Sequence, residues 1–163
     1  MRNNPVRPLV GTTPPDTGSA GGDRWAPASV LLLAHQVSVG NAVRATLERA
    51  VGPRLWIWHE ATLAPALKMV SVCRLRLILL DPVIPDVSPG LVLRALRQAT
   101  PETPLVVLAT RPDTPLAVEQ EELGTARARS AGAVAVVPWD HGEVLVRVVR
   151  EVLGIPPGKP QGR

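Results

Sequence analysis

Short apolar runs alternate with longer amphipathic stretches between residues 27 and 154, and the alternation occurs five times. Each apolar run carries almost no polar residue, which is typical of a strand buried on both faces. The runs predict strands at 29–34, 55–58, 75–80, 104–109 and 133–137.

The stretches between these runs space their apolar residues as one stripe of a helix does. They predict helices at 39–50, 62–72, 91–99, 115–129 and 141–153. Ser38 and Asp140 are residue types that cap helix N-termini, and they precede the first and the last helix. The predicted apolar stripe of the last helix consists of Val144, Leu145, Val148 and Val152.

Five strand–helix units with short connections predict an α/β fold. Because parallel strands need crossover helices, the expected architecture is a three-layer, flavodoxin-like, doubly wound sandwich around a five-stranded parallel sheet. The working site of such a fold lies at the carboxyl ends of the strands.

The two ends of the chain differ from this middle part. Residues 1–26 are rich in Pro and Gly and show no apolar period, and residues 155–163 read similarly. We expect both tails to be disordered and residues 27–154 to form one domain. The net charge of +4 comes mostly from the tails and forms no basic run. Direct nucleic-acid binding is therefore not expected.

The number of cysteines and the length of the apolar runs limit which disulfides and membrane spans the chain can form. The single cysteine excludes an internal disulfide, and Cys73 is expected to be a half-buried structural residue. No apolar run approaches the ~20 residues of a membrane span, and no signal pattern is present, so we expect a cytoplasmic protein. No phosphate loop, nucleophile elbow or metal-binding cluster occurs, so we expect neither an enzyme nor a cofactor.

One segment carries a family resemblance. Residues 79–90 read LLDPVIPDVSPG: an apolar strand, Asp81, a step to Pro85-Asp86, and Gly90 before the next helix. Two further segments occur at the spacing expected after this one, TPLVVL at 103–108 and AGA at 131–133. Taken together, the three segments resemble the receiver domain of bacterial response regulators. The resemblance implies that Asp81 stands at the phospho-acceptor position.

The same comparison shows departures. The acidic pair with which the family holds a divalent metal is replaced by Ala34 and His35, so no Mg²⁺ is expected. Ala109 stands where a Thr or Ser is usual, with Thr110 one residue later. Pro138 or Trp139 stands in place of the family's Lys-Pro pair.

These departures predict a pseudo-receiver. Phosphoryl transfer depends on positioning and charge neutralisation, and both are reduced here. We therefore expect a phosphorylation-independent interaction module that binds a protein partner or itself, a homodimer included. The resemblance implies an interaction face on the fourth and fifth predicted helices, with Glu119, Glu121, Glu122, Arg147 and Arg150.

Two alternatives remain open from the sequence. The vacated pocket could sense a small molecule, lined by Ala34, His35, Ala109 and Trp139, or Asp81 could still be a weak phospho-acceptor. A pairing of His35 with Asp81 would make a pH-sensitive latch, although a polar His at the start of a loop is the commoner case. Trp139, the largest side chain near the site, is expected to cap the pocket.

Overall fold

Parallel strands form the centre of the computed structural model, which describes residues 27–109, 129–130 and 132–157. The strands are β1 (Ala28–Leu33), β2 (Leu55–Glu60), β3 (Leu77–Leu80), β4 (Leu105–Ala109) and β5 (Ala135–Pro138). They pair in the order β2-β1-β3-β4-β5, and every pairing is parallel. This sheet confirms the predicted fold class.

Four helices of the described residues connect or follow the strands. They are α1 (Val37–Val51), α2 (Leu63–Val72), α3 (Pro89–Ala99) and α4 (Gly142–Leu153). A 3-10 turn at Gly52–Arg54 separates α1 from β2. Pro65 lies in the first turn of α2, where the missing N–H has no intrahelical partner to lose. No helix among these residues is long and apolar enough to cross a membrane.

Apolar residues pack on both faces of the sheet. One cluster joins β1, β3 and β4 to α1 and α4, and the other joins alternate residues of the same strands to α2 and α3. The central strands β1 and β3 are buried along almost their whole length, because helices cover both faces. Their continuous apolar sequence follows from this position.

Both predicted helix caps are wrong. The residue before α1 is Gln36, and Ser38 lies inside the helix. The residue before α4 is His141 rather than Asp140. Neither Gln36 nor His141 gives a side-chain hydrogen bond to its helix.

The stripe that α4 buries is also partly different from the predicted one. Leu145, Val149 and Leu153 are its buried residues, whereas Val144, Val148 and Val152 are partly buried at the margin of the same cluster. Both stripes are apolar, so the sequence pattern alone does not decide the rotation of the helix.

The neighbour of α4 is α1, and two contacts define the seam between them. A Cβ on Gly142 would lie 3.0 Å from Cγ2 of Thr46. Arg150 donates from Nη2 to the carbonyl of Ala50 at 2.6 Å, which satisfies an orphan acceptor in the last turn of α1. Gly142 and Arg150 therefore both lie on the side of α4 that faces α1.

Candidate functional site

Asp81 follows β3 directly and lies at the carboxyl edge of the sheet, between the ends of neighbouring strands. Its N–H donates to the carbonyl of Leu33 at 2.8 Å, which extends the β1–β3 pairing by one residue. Its side chain turns back on its own loop, where Oδ1 accepts the N–H of Val83 at 3.0 Å. Only 5% of the residue is exposed.

Burial dominates the electrostatics of Asp81. Loss of water raises the pKa of the carboxyl group above its ordinary 3.8, and the Val83 N–H and the nearby His35 lower it by smaller amounts. His35 itself is exposed. The structure thus brings His35 and Asp81 close enough to interact electrostatically, and no hydrogen bond between them is present among the described residues.

Ala34 is fully buried in the core cluster that faces α1 and α4. Its N–H donates to the carbonyl of Glu60 at 2.9 Å, so the pairing of β1 with β2 continues one residue beyond the end of β1. The methyl group of Ala34 offers no ligand atom. Its carbonyl oxygen is the only acceptor at this position.

His59 is hydrogen-bonded to that carbonyl oxygen. The sequence pattern did not predict this role for His59. Its Nε2 lies 2.9 Å from the carbonyl oxygen of Ala34, so Nε2 carries the proton and donates it. The ring lies over Gly40 in the first turn of α1, and a Cβ at position 40 would overlap it. An isolated glycine inside a predicted helix was the available signal, because such a glycine usually has a packing reason.

The residues at this edge do not fit the divalent metal that the receiver resemblance implies. Asp81 already uses Oδ1 for the Val83 N–H, Ala34 brings no side-chain donor, and its carbonyl is bonded to His59. Imidazole is a poor ligand for a hard cation such as Mg²⁺, which prefers oxygen. Within the described ranges no three His, Cys, Asp or Glu side chains converge on a point.

The loop from β3 to α3 holds a conformation that few residue types adopt. Asp86 has φ +62°, in the left-handed region, which Asp and Asn tolerate better than other side-chain-bearing residues. Ser88 precedes α3, and Pro89 occupies its first turn. The structure thus contains the turn at Pro85-Asp86 and the helix after it, as the resemblance implies.

Other predicted pocket residues are only partly placed. Ala109 and Pro138 end the neighbouring strands β4 and β5 and are paired in register. Trp139 is half-buried and packs against the core cluster that contains Ala34. Thr110 lies outside the described residues, and capping of the pocket by Trp139 stays a prediction.

The predicted interaction face is also placed in part. Arg147 is exposed on α4, whereas Arg150 is half-buried and its guanidinium bonds to Ala50. Arg150 therefore points toward α1. Of the two arginines, only Arg147 presents its side chain to solvent. Glu119, Glu121 and Glu122 lie outside the described residues.

Comparison with known proteins gives a result at the level of structure. No family model matches the chain, and no curated protein matches it. A CheY-like receiver domain protein from Methanospirillum hungatei JF-1 aligns with TM-score 0.63 at 16% identity, over 78% of this chain and 94% of that one. The Vibrio cholerae chemotaxis protein CheY4 aligns with TM-score 0.62 at 23% identity, over 78% and 100%.

A third structure agrees with these two. The receiver domain of NtrX from Brucella abortus aligns with TM-score 0.65 at 17% identity, over 78% of this chain and 99% of its own. In each of the three alignments the match covers nearly the whole of the solved chain. The chain therefore has the fold of the response-regulator receiver domains, as its sequence resemblance implies.

Proposed function

We propose that this chain is a phosphorylation-independent receiver-like domain that acts in bacterial signalling by binding a protein, without catalysing a reaction. The observation that carries the proposal is the set of groups around Asp81. The neighbouring strand end supplies Ala34 in place of a carboxylate, and the Ala34 carbonyl is bonded to His59. Asp81 itself is buried and bonded to its own loop.

Charge gives a second line of support. A phosphoryl group transferred to Asp81 would bring negative charge into a buried position, and catalysis of that transfer depends on neutralising it. The chain has only two lysines, Lys68 and Lys159. Lys68 is exposed on α2, and Lys159 lies outside the described residues. Pro138 ends β5 and Trp139 follows it, at the place where a lysine would serve.

Binding is proposed to use the exterior of the domain, on the side of β5. The face would combine the segment 115–129, which carries three glutamates, with α4, where Arg147 is exposed. Opposite charges on one surface suit an electrostatically steered encounter. The fixed site at the carboxyl edge would then hold this face in one conformation.

Phosphorylation can be tested directly. We expect no acid-labile adduct on Asp81 after incubation of the full chain with acetyl phosphate and Mg²⁺, measured by intact-mass spectrometry beside an acetyl-phosphate-reactive receiver as the positive control. An adduct at high occupancy that disappears in Asp81→Asn would overturn the proposal.

Binding supplies the complementary test. Affinity capture from the native host with the full chain, with and without residues 1–26, would identify the partner. Asp81→Asn preserves the acceptor for the Val83 N–H, so we expect it to capture that partner as well as the wild type does. Loss of capture by a folded Asp81→Asn protein would show that the carboxylate has a signalling role.

A further inference from the structure

The amino edge of the sheet, where the parallel strands begin, collects arginines from separate parts of the chain. Arg54 directly precedes β2, and Arg74 and Arg76 precede β3. Arg49 lies in the last turn of α1, which leads through the 3-10 turn into β2. All four residues are exposed. A helix that connects parallel strands ends where the next strand begins, so the four arginines belong to one edge.

The start of β1 lies between these arginines and sets their separation. Arg54 precedes Leu55, which pairs with Ala28, the first residue of β1. On the other side of β1, the N–H of Arg76 donates to the carbonyl of Ser29 at 2.8 Å. Neighbouring strands lie about 4.8 Å apart, so the backbone at Arg54 and at Arg76 is separated by at least about 10 Å. The arginines are therefore spread across three strands.

Three of the arginines near this edge have a structural explanation. Each donates to a backbone carbonyl at the end of a helix or in a loop; they are Arg76, Arg97 and Arg150. Helix C-termini carry partial negative charge, so cations are favourable there. Bonds of this kind do not account for the others. Within the described part of the chain, no hydrogen bond or ion pair is made by the side chains of Arg49, Arg54 and Arg74.

These last three residues, here called the basic edge, are not neutralised by nearby acids. The described residues that lead into β1, β2 and β3, at 27, 52–54 and 73–76, contain no Asp or Glu. Glu48 is already paired with Arg44 at 2.8 Å. The other two acidic residues at this end of the strands lie elsewhere, Glu102 before β4 and Glu151 in the last turn of α4.

The two end segments of the chain add to the same charge. Residues 1–26 lead into β1, and residues 158–163 follow α4, whose last turn is bonded to Arg76. Both segments therefore join the domain at the amino edge. Together they hold five basic residues and two acidic ones: Arg2, Arg7, Arg24, Lys159 and Arg163, against Asp16 and Asp23.

We propose that the basic edge binds the phosphate backbone of double-stranded nucleic acid, without reading the base sequence. The sequence contains no basic run, and for that reason nucleic-acid binding was not expected from it. The fold supplies the missing grouping, because it places arginines from α1 and from the approaches to β2 and β3 on one surface.

Spacing and side-chain chemistry favour this ligand. Each strand of a DNA duplex carries one negative charge about every 3.4 Å along the axis, so a surface about 10 Å wide spans about three phosphates. All members of the basic edge are arginines, whose planar guanidinium groups bind phosphate oxygens in a bidentate manner. Basic terminal segments are also typical of chains that bind nucleic acid.

The inference goes beyond the proposed function and does not depend on it. The proposed protein-binding face lies on the side of β5, whereas the basic edge lies at the start of β1, β2 and β3, at the other end of the strand order. A phosphoryl adduct on Asp81 would overturn phosphorylation independence and leave nucleic-acid binding standing. Absence of nucleic-acid binding would leave the Asp81 result unchanged.

The test is fluorescence anisotropy of two labelled duplexes of unrelated sequence, each about 20 base pairs long, titrated with the full chain at several salt concentrations. We expect equal affinity for the two duplexes. The logarithm of the association constant should fall with the logarithm of salt concentration with a slope of about −3 or steeper, because at least about three phosphates are contacted.

A triple variant removes the basic edge. Arg49→Ala, Arg54→Ala and Arg74→Ala together should weaken binding at least about tenfold and make the salt slope shallower by about 2–3. The three side chains are exposed and make no bond among the described residues, so the urea unfolding curve should match that of the wild type.

A second triple variant is the matched control. Lys68→Ala, Arg94→Ala and Arg147→Ala remove the same charge from exposed positions on three helices, and we expect binding close to that of the wild type. The proposal is overturned if the full chain does not bind at about 100 μM in about 50 mM salt, or if the two triple variants lose affinity equally. It is also overturned if polyglutamate, or vesicles of anionic lipid, compete as well as unlabelled duplex at equal charge.

Discussion

At the scale of single residues, Asp81 holds a carboxyl group that is largely withdrawn from water. The one hydrogen bond from Val83 offsets only part of the desolvation, and the pKa of the carboxyl group is raised. The folded state therefore keeps its proton to higher pH than the unfolded state does. Stability falls as pH rises above 3.8 and through the folded pKa, and above that pKa the destabilisation is constant.

This sign predicts the behaviour of Asp81→Asn. The amide cannot ionise, and its oxygen can still accept the Val83 N–H. We expect the variant to gain stability relative to the wild type as pH rises from acidic to neutral, measured as the free energy of unfolding in urea at several pH values. A difference between the two proteins that is constant with pH, or shrinks toward neutral pH, would contradict the assignment of burial as the main cause.

Gly40 and His59 form a second residue-scale unit. Gly40→Ala inserts a methyl group where the His59 ring lies, so we expect it to lower the free energy of unfolding by about 1–3 kcal/mol. In a His59→Ala background the clash is gone and Ala is the better helix former. There the same substitution should be neutral or stabilising, which a double-mutant cycle by chemical denaturation would measure. Additive effects of the two changes would show that the ring and the glycine do not interact.

At the scale of elements, α4 offers two apolar stripes, and packing against the sheet selects one of them. Val149 is fully buried, whereas Val148, the residue before it, lies at the margin of the cluster. Val149→Ala should lower the free energy of unfolding by about 2 kcal/mol through lost burial and the cavity left behind. Val148→Ala should lower it by clearly less. Equal losses for this matched pair in guanidinium denaturation would mean that the helix is rotated from the orientation described.

At the scale of the whole molecule, arginine side chains connect segments that are distant in sequence. Arg76, before β3, donates to the carbonyl of Leu153 at the end of α4 at 3.3 Å. Arg97 on α3 donates to the carbonyl of Thr103 at 3.0 Å, and also to Pro101 and to Gly132 in the turn before β5. Gly132 has φ +97°, and a Cβ there would lie 2.8 Å from Nε of Arg97.

Removal of the Arg97 guanidinium leaves three carbonyl groups, two of them between α3 and β4 and one before β5, without this donor. Hydrogen bonds to charged groups contribute more than neutral ones, so we expect Arg97→Ala to lower the free energy of unfolding by about 1.5–3 kcal/mol. Arg94→Ala, at an exposed position of the same helix, should change it by less than about 0.5 kcal/mol. Thermal and urea unfolding of both variants would measure the difference, and equal values would show that the Arg97 contacts contribute nothing net.

Among the described residues, the order of strands and helices, the parallel sheet and the position of Asp81 at a strand end were determined by the sequence itself. The reason is that local patterns carry this information: a strand buried on both faces must be apolar throughout, and a helix that covers a sheet must repeat its apolar residues with the helical period. The strands predicted at 29–34 and 75–80 are examples, because the structure places them at Ala28–Leu33 and Leu77–Leu80.

Tertiary structure decided the features that depend on contacts between distant segments. Two such features are the bond from His59 to the carbonyl of Ala34 and the bond from Arg150 to the carbonyl of Ala50. Two others are the start of α1 at Val37 and the burial of Val149 rather than Val148. The sequence next to these residues does not indicate which distant residue they will contact. A helix with two apolar stripes, or an arginine among charged residues, has several locally acceptable orientations, and only the packing of the other elements selects one of them.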